Sequence, residues 1–145
     1  RVLAVTAPTE CDTRSLRALW RRLRPLGVRL AIASECHGEV QAEAGWPLEP
    51  AFLLVETRPE EWDAVVFAGG RGAARVARDP FARELAHRFA KAGKILAALG
   101  EGRRVLDAAK LGGIFEDDPD ALADALAAQL GAPETTAAHA PRPAP

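Results

Sequence analysis

The chain has 145 residues, a common size for a single domain, so one hydrophobic core is expected. Hydrophobic residues make up 48% and charged residues 27%, which places the chain among ordinary globular proteins and away from disordered and disulfide-rich classes. The net charge of −1 argues against a nucleic-acid or anionic-membrane partner, and no apolar run reaches the roughly 20 residues that span a bilayer. Without a secretory signal pattern, the chain is predicted to be cytoplasmic.

Cysteine and histidine are too sparse for a metal site or a disulfide framework. The two cysteines are Cys11 and Cys36, and the three histidines, His37, His87 and His139, show no zinc spacing. We therefore expect neither a metal ion nor a cofactor.

The first part of the chain predicts a β-α-β unit. Val2–Thr6 has the composition of a buried strand, and Asp12 or Thr13 can cap the following helix, in which leucines recur every three or four residues. Gly27 ends this helix, and Val28–Ala33 is predicted to form a second strand parallel to the first. Five arginines on the other face of the helix indicate a solvated surface.

The remaining chain alternates predicted strands and helices. Residues 38–55, broken by glycine and proline, are predicted to form a small β excursion at the sheet edge. Further strands are expected at Trp62–Phe67, Lys94–Leu99 and Gly113–Phe115, and helices at the segment carrying Val76, Phe81, Leu85 and Phe89, at the segment with Val105 and Leu106, and from Pro119 to Leu130. This order predicts a flavodoxin-like three-layer α/β sandwich over residues 1–130, with a mainly parallel sheet of about five strands. Residues 131–145, rich in alanine and proline, are predicted to be a tail or linker.

Candidate binding residues follow the predicted strands, because ligands of open parallel sheets bind beyond the carboxyl ends of the strands. The glycines around Gly70 and Gly102 lack the third glycine of a dinucleotide loop and favour tight turns. Arg71 is placed to hold a small anion. With Glu10, which follows the first strand, these residues are the predicted binding positions.

Three stretches of the sequence, taken together, indicate a protein family more specifically than any one of them does alone. Residues 62–73 are WDAVVFAGGRGA, residues 93–102 are GKILAALGEG, and residues 105–112 are VLDAAKLG. They resemble the ThiJ/PfpI superfamily of class I glutamine-amidotransferase-like folds, whose patterns here are a D-A-V-V-x-P-G-G strand and turn, a G-K-P-I-A-A-I-C-H-G nucleophile elbow and a V-L-x-x-A-G-L-L helix. The resemblance covers about residues 1–113.

The resemblance places Gly100 and Glu101 where the family has the nucleophilic cysteine and the histidine after it. Because glycine has no side chain to attack a substrate, Gly100 and Glu101 are predicted to be a vestigial elbow. The family glutamate that supports the cysteine falls within residues 10–15, where no residue is a secure equivalent. The resemblance therefore implies a pseudoenzyme, and the chain is predicted not to be an enzyme.

The two cysteines are weak alternative nucleophiles. Cys36, followed by His37 and Gly38, spells the family's C-H-G triplet, but it follows the second predicted strand and fits an incidental turn residue. Cys11 lies between two acidic residues, which should raise its pKa. Because the strands before them are expected to be adjacent, the two thiols could also form a redox disulfide.

The shortened end of the chain after Gly113, together with Gly100, resembles the C-terminal domain of large-subunit catalases. This resemblance implies a non-catalytic accessory domain for assembly, stability or chaperone-like binding, and the absence of tyrosine excludes a haem-ligating tyrosine in this chain. Two alternatives stay open: a ThiJ/PfpI-type hydrolase, glyoxalase or deglycase with a displaced cysteine, and a small-anion or nucleotide sensor. The accessory role predicts a protein partner or self-association through apolar residues 52–55, next to Trp46. The alternative is that these side chains cover the sheet edge or close the core under the β excursion.

Overall fold

The structure, a computed structural model, describes residues 1–131 and contains one six-stranded parallel sheet. Its strands are β1 (Val2–Thr6), β3 (Leu30–Ser34), β5 (Phe52–Leu53), β6 (Ala64–Phe67), β7 (Ile95–Leu99) and β8 (Ile114–Glu116), and a separate pair is formed by β2 (Cys11–Asp12) and β4 (Ala42–Ala44). The order across the main sheet is β5-β3-β1-β6-β7-β8. All five neighbouring pairs are parallel, as the alternation of strands and helices predicted.

Helices cover both faces of this sheet. They are α1 (Thr13–Leu23), α2 (Ala73–Arg78), α3 (Pro80–Lys91), α4 (Arg103–Ala108) and α5 (Pro119–Leu130). Buried side chains of α1 and α5 form one apolar layer against the sheet, and those of α2, α3 and α4 form the other. The flavodoxin-like sandwich is thus confirmed, with six strands rather than about five because the two-residue β5 extends the sheet beyond β3.

The central strands explain why the core pattern is readable in the sequence. Every residue of β1 and β6 is buried, because helices cover both faces of a parallel sheet. Such strands are continuous apolar runs rather than alternating ones, as in Val2–Val5 and Ala64–Phe67. These two strands hold the loops that follow them at one edge of the molecule.

The second predicted helix, which carries Val76 and Phe89, is two helices in the structure. Asp79 has extended backbone angles and its side chain accepts a hydrogen bond from the Phe81 amide, so it ends α2 and caps α3. Pro80 disfavours a helical conformation at the preceding residue, which explains the break. The expectation that Phe81 shares the buried face with Leu85 and Phe89 is wrong, since Phe81 is 63% exposed.

Residues 52–55 and Trp46 do not form one continuous exposed patch, and a partner contact there stays a prediction. Phe52 packs edge-on against Trp62 with ring centroids 5.7 Å apart, and Leu54 is buried in the same layer as α3. Trp46 lies on the other side of the sheet, where its carbonyl oxygen accepts a hydrogen bond from Thr13 at the start of α1. Within the 52–55 segment only Val55 stands out as an exposed large side chain.

The predicted tail covers residues 131–145, and residues 132–145 lie outside the part of the chain that the structure describes. The predicted domain boundary at residue 130 therefore stays a prediction. Among residues 1–131, no helix has the length and apolar character required to cross a membrane.

The two phenylalanines of α3 give a matched test of this packing. Phe89 is fully buried, so Phe89→Ala should lower the free energy of unfolding by about 3–5 kcal/mol through lost burial and a residual cavity. Phe81→Ala, at an exposed site of the same helix, should change it by less than about 0.5 kcal/mol. Urea unfolding followed by circular dichroism measures both values, and equal effects would contradict the orientation of α3.

Candidate active site

Three loops meet at the carboxyl edge of the sheet. They are residues 7–12 after β1, residues 68–72 after β6 and residues 100–102 after β7. The Asp12 amide donates to the Gly69 carbonyl oxygen at 3.0 Å, and the Gly72 amide donates to the Glu10 carbonyl oxygen at 3.0 Å. Backbone hydrogen bonds therefore fix the first two loops to each other.

Glycines are required where these loops touch. A Cβ at Gly70, whose φ is +100°, would lie 2.6 Å from the Asp12 amide nitrogen. A Cβ at Gly102 would collide with the carbonyl oxygen of Phe67. The turn geometry predicted for both glycines is thus a consequence of close backbone approach.

Residues 100–102, the elbow, keep the geometry of a strand-to-helix turn that displays a side chain. Gly100 has a left-handed φ of +57°, which costs non-glycine residues roughly 1–2 kcal/mol. A Cβ built on Gly100 has no atom within 4 Å, so a side chain at this position would point into open space. The elbow is formed although its first residue carries no nucleophile.

Glu101 supplies a carboxylate at the elbow. Its Oε1 accepts a hydrogen bond from the Gly70 amide at 3.0 Å. This bond joins the loop after β6 to the loop after β7 and holds a negative group at a backbone N–H. An amide in this position is suited to bind an oxyanion or a carboxylate.

The elbow opens into a cleft of about 520 Å³. Arg103 is held by Asp107, at 3.5 Å, and by the Phe115 ring, whose centroid lies 4.6 Å from the guanidinium carbon. Among residues 1–131, Arg104 has no ion-pair partner. The side chains and backbone lining the cleft belong to Asp12, Gly100, Glu101, Arg103, Arg104, Asp107 and Asp117.

Arg71, predicted to bind an anion, is engaged with two carboxylates of the chain itself. Its Nε donates to Glu43 Oε1 at 3.0 Å, and its guanidinium lies 3.4 Å from Glu10 Oε2. Hydrogen bonds from the Arg71 amide and side chain lower the pKa of Glu43. Arg71 and Glu10 therefore tie the exposed surface of the loops together and lie apart from the residues that line the cleft.

The two cysteines differ in environment, and both are free. Cys11 is buried, and this burial, with the negative charges of Asp12 and Glu43, raises its pKa to about 12. Cys36 is exposed in the loop after β3, beside the ion pair of Glu35 and Arg75 at 2.9 Å. Three strand spacings, roughly 14 Å, separate β3 from β7, so the loop of Cys36 starts well away from the elbow.

Several cleft residues were missed by the sequence analysis. Asp12 was interpreted only as a helix cap, which it is, since Oδ1 accepts from the Ser15 amide at 3.1 Å. Arg103 and Arg104 open α4 directly after the elbow, and that position at the carboxyl edge was an available signal. Glu43 carried no such signal, because it reaches Arg71 from the separate β2–β4 pair.

The sequence and the fold have counterparts in known proteins. Residues 1–114 match the DJ-1/PfpI family, and with most of its length matched the chain belongs to that family. It is 30% identical over 106 residues to a protein of Pyrococcus horikoshii named as a deglycase, covering 73% of this chain and 63% of that protein. It is 31% identical over 87 residues to Deglycase PfpI of Pyrococcus furiosus, covering 60% of this chain and 52% of that one. The chain thus spans little more than half the length of these curated relatives.

Solved structures share the fold at lower sequence identity. The ThiJ/PfpI domain protein of Brachyspira murdochii superposes with a TM-score of 0.83 at 20% identity, over 90% of this chain and 95% of that one. A two-domain protein of Anabaena variabilis, with DJ-1/ThiJ/PfpI-like and ferritin-like domains, has a TM-score of 0.80 at 15% identity, over 94% of this chain and 51% of that one. These likenesses establish the fold.

The prediction that the chain is not an enzyme is wrong. It rested on Gly100 and Glu101 at the elbow, on the lack of a secure equivalent of the family glutamate and on the lack of a haem ligand, whereas the curated relatives it matches are named for an enzymatic activity. The same relatives give no support to a non-catalytic accessory role.

The elbow glycines give a matched pair of substitutions. Gly102→Ala should lower the free energy of unfolding by about 1–3 kcal/mol or more, because the new Cβ displaces the Phe67 carbonyl. Gly100→Ala places its Cβ in open space and should cost only the roughly 1–2 kcal/mol of a left-handed φ. Thermal unfolding compares them, and a larger loss for Gly100→Ala would contradict this description of the elbow.

The thiols should differ in reactivity. Cys36 should react with Ellman's reagent in the folded protein at neutral pH, whereas Cys11 should react only on unfolding, because it is buried and its pKa of about 12 leaves almost no thiolate. Cys36→Ser and Cys11→Ser variants assign the signal to each residue. Rapid modification of Cys11 in the folded chain at neutral pH would show that its loop opens.

Proposed function

We propose that this chain is a hydrolytic enzyme of the deglycase type, which removes a carbonyl-derived group from an amine or a thiol in the elbow cleft. Membership of the DJ-1/PfpI family and the named deglycases among its relatives support this activity class. The observation that carries the proposal is the Glu101 carboxylate, held on the Gly70 amide at 3.0 Å beside the open space at Gly100.

Neither thiol is suited to act at the elbow. Cys11 is buried and protonated at neutral pH, since its pKa is about 12. Cys36 is exposed, but its loop follows β3, and β1 and β6 lie between that strand and β7. We therefore assign the nucleophile to a water molecule rather than to a displaced cysteine.

Glu101 is the general base in this scheme. Oε1 is anchored by the Gly70 amide, and among the described residues Oε2 accepts no hydrogen bond from the chain. In a substrate whose carbonyl carbon itself carries the amine or the thiol, that is, an amide or a thioester, the carboxylate takes a proton from water as the water oxygen bonds to that carbon, and the carbonyl π electrons move to the carbonyl oxygen. When that oxyanion collapses, the bond to the amine or thiol breaks, and the leaving group receives the proton from Glu101.

The arginines of α4 supply positive charge to the same cleft. Arg104 lines the cleft and has no ion-pair partner within residues 1–131, so it is free to pair with the oxyanion or with an anionic group of the substrate. Arg103 is held by Asp107 and Phe115 and contributes a fixed charge. Electrostatic stabilisation of this kind is commonly a large part of catalysis of acyl transfer.

Three finer predictions of the sequence stay proposals. The resemblance to the domain appended to large-subunit catalases would gain support from a haem core encoded upstream of Arg1. A cytosolic location, and the small-anion sensor as an alternative role of the same cleft, likewise rest on the sequence.

Glu101→Gln tests the proposed base. The amide oxygen of glutamine can still accept from the Gly70 N–H, so the fold should be unchanged, while turnover should fall by about 10²–10⁴. The measurement is release of free amine from an N-acyl amino acid and of free thiol from an S-acyl glutathione, in which the carbonyl carbon carries the leaving group. The matched control is Cys11→Ser with Cys36→Ser, which should retain activity.

Three results would count against the proposal. Loss of turnover in the double serine variant would assign the chemistry to a thiol. Equal rates for the parent chain and Glu101→Gln would remove Glu101 from the reaction. Anion binding at the cleft without turnover of any of these substrates would favour the sensor instead.

A further inference from the structure

A second surface of the molecule lies on α1, on the face of the sheet that it shares with α5. An apolar groove of about 180 Å³ opens there, lined by Leu16, Arg17, Trp20, Leu30, Ile32 and Leu48. No residue lines both this groove and the carboxyl-edge cleft, although Asp12 of the cleft lies directly before α1. The groove therefore has no role in the proposed reaction.

Exposed tryptophans mark this surface. Trp20 is 38% exposed on the groove wall, and Trp46 is 75% exposed two residues before Leu48. Hydrogen bonds from Thr13 to the Trp46 carbonyl and from Arg17 to the Pro47 carbonyl, at 2.6 Å and 3.2 Å, fix this loop against α1. Exposed aromatic side chains in a fixed position are typical of interaction sites.

The helical side of the groove carries charge of one sign, whereas the loop on its other side has the exposed Glu49 after Leu48. Thr13–Leu26 contains five arginines and no acidic residue. Within residues 1–131 one of the five, Arg22, forms an ion pair, with Asp124 at 2.6 Å. Arg24 stacks on Trp20, and Arg14 and Arg21 are exposed without an acidic partner in the described chain. The groove is thus apolar inside and positive along the α1 side of its rim.

We propose that this groove binds an acidic segment of a partner protein, which inserts one large apolar side chain between the arginines. A cavity of roughly 150 Å³ accommodates a benzene ring, so the groove has room for one leucine or aromatic side chain. Charge complementarity selects an acidic partner and accelerates its association. A symmetric pair of copies is disfavoured, because it would bring two arginine-rich helices together.

The probe for this test is a short synthetic polyglutamate peptide that carries one leucine. Its binding is followed by tryptophan fluorescence and by amide chemical shifts, and the same peptide without leucine and a polylysine peptide with one leucine are the peptide controls. We expect saturable binding of the first peptide only, shifts centred on Trp20 and Leu48, and weaker binding as salt is raised.

Two variants and a matched control locate the site. Leu48→Glu should weaken binding about tenfold or more by placing a charge in the groove. The double substitution Arg14→Glu with Arg21→Glu should also weaken binding, because it replaces positive charge at the rim with negative charge. Both positions are exposed, so folding should be unaffected. Arg88→Glu, on the exposed side of α3 on the opposite face of the sheet, should leave affinity unchanged.

Four outcomes would overturn the proposal. They are no binding of the leucine-containing peptide, equal binding of the peptide without leucine, tighter binding of single-stranded RNA at the same salt concentration, and self-association in sedimentation that Leu48→Glu abolishes. The first two remove the groove as an acidic-peptide site. The third assigns the surface to nucleic acid, and the fourth assigns it to a second copy of the chain.

Discussion

Close contact between backbones at the carboxyl edge of the sheet is the constraint on which the rest of the site depends. Gly70 lies against the Glu10–Asp12 backbone, and Gly102 lies against the Phe67 carbonyl, with no space for a Cβ at either position. Because the loops after β1, β6 and β7 are in direct contact, their amides and carbonyls are fixed relative to one another. The cleft can therefore present polar groups with little freedom, which is what catalysis by positioned charges requires.

In the function we propose, this contact lets a carboxylate act in place of a thiol. The resemblance to the family pattern puts Gly100 at the position of the elbow cysteine. The next residue, Glu101, reaches the Gly70 amide across the loop contact, so its charge is held at the edge where reaction would occur. Buried Cys11, in contrast, has lost ionisation through desolvation and through its acidic neighbours.

The sequence predicts the layers of this fold well and its surfaces poorly. The strands at Val2–Thr6 and Ala64–Phe67 are continuous apolar runs because both of their faces are buried, and such runs are visible without a structure. Phe81 was misplaced because a periodic pattern does not show that Pro80 starts a new helix with a different rotation. The 52–55 segment and Trp46 were joined in one patch because both are apolar and close in sequence, whereas the sheet separates them.

Function was harder to predict because the decisive groups come from separate elements. Gly100 by itself indicated an inactive elbow, but the carboxylate on the Gly70 amide appears only when the loops after β6 and β7 are brought together. Glu43 reaches Arg71 in a similar way from the β2–β4 pair, over a sequence distance that no local pattern covers.

Asp12 physically connects the cleft to the groove on α1. Its side chain lines the cleft, and both carboxylate oxygens bind Ser15, Oδ1 through the amide at 3.1 Å and Oδ2 through the hydroxyl at 2.8 Å. A capping interaction of this type contributes about 0.5–2 kcal/mol to helix stability. A ligand group that drew Asp12 into the cleft would therefore remove the cap of the helix whose next turns carry Leu16 and Trp20 in the groove. In that case occupancy of the cleft and order of the groove helix would share a free-energy term, which would act equally in both directions.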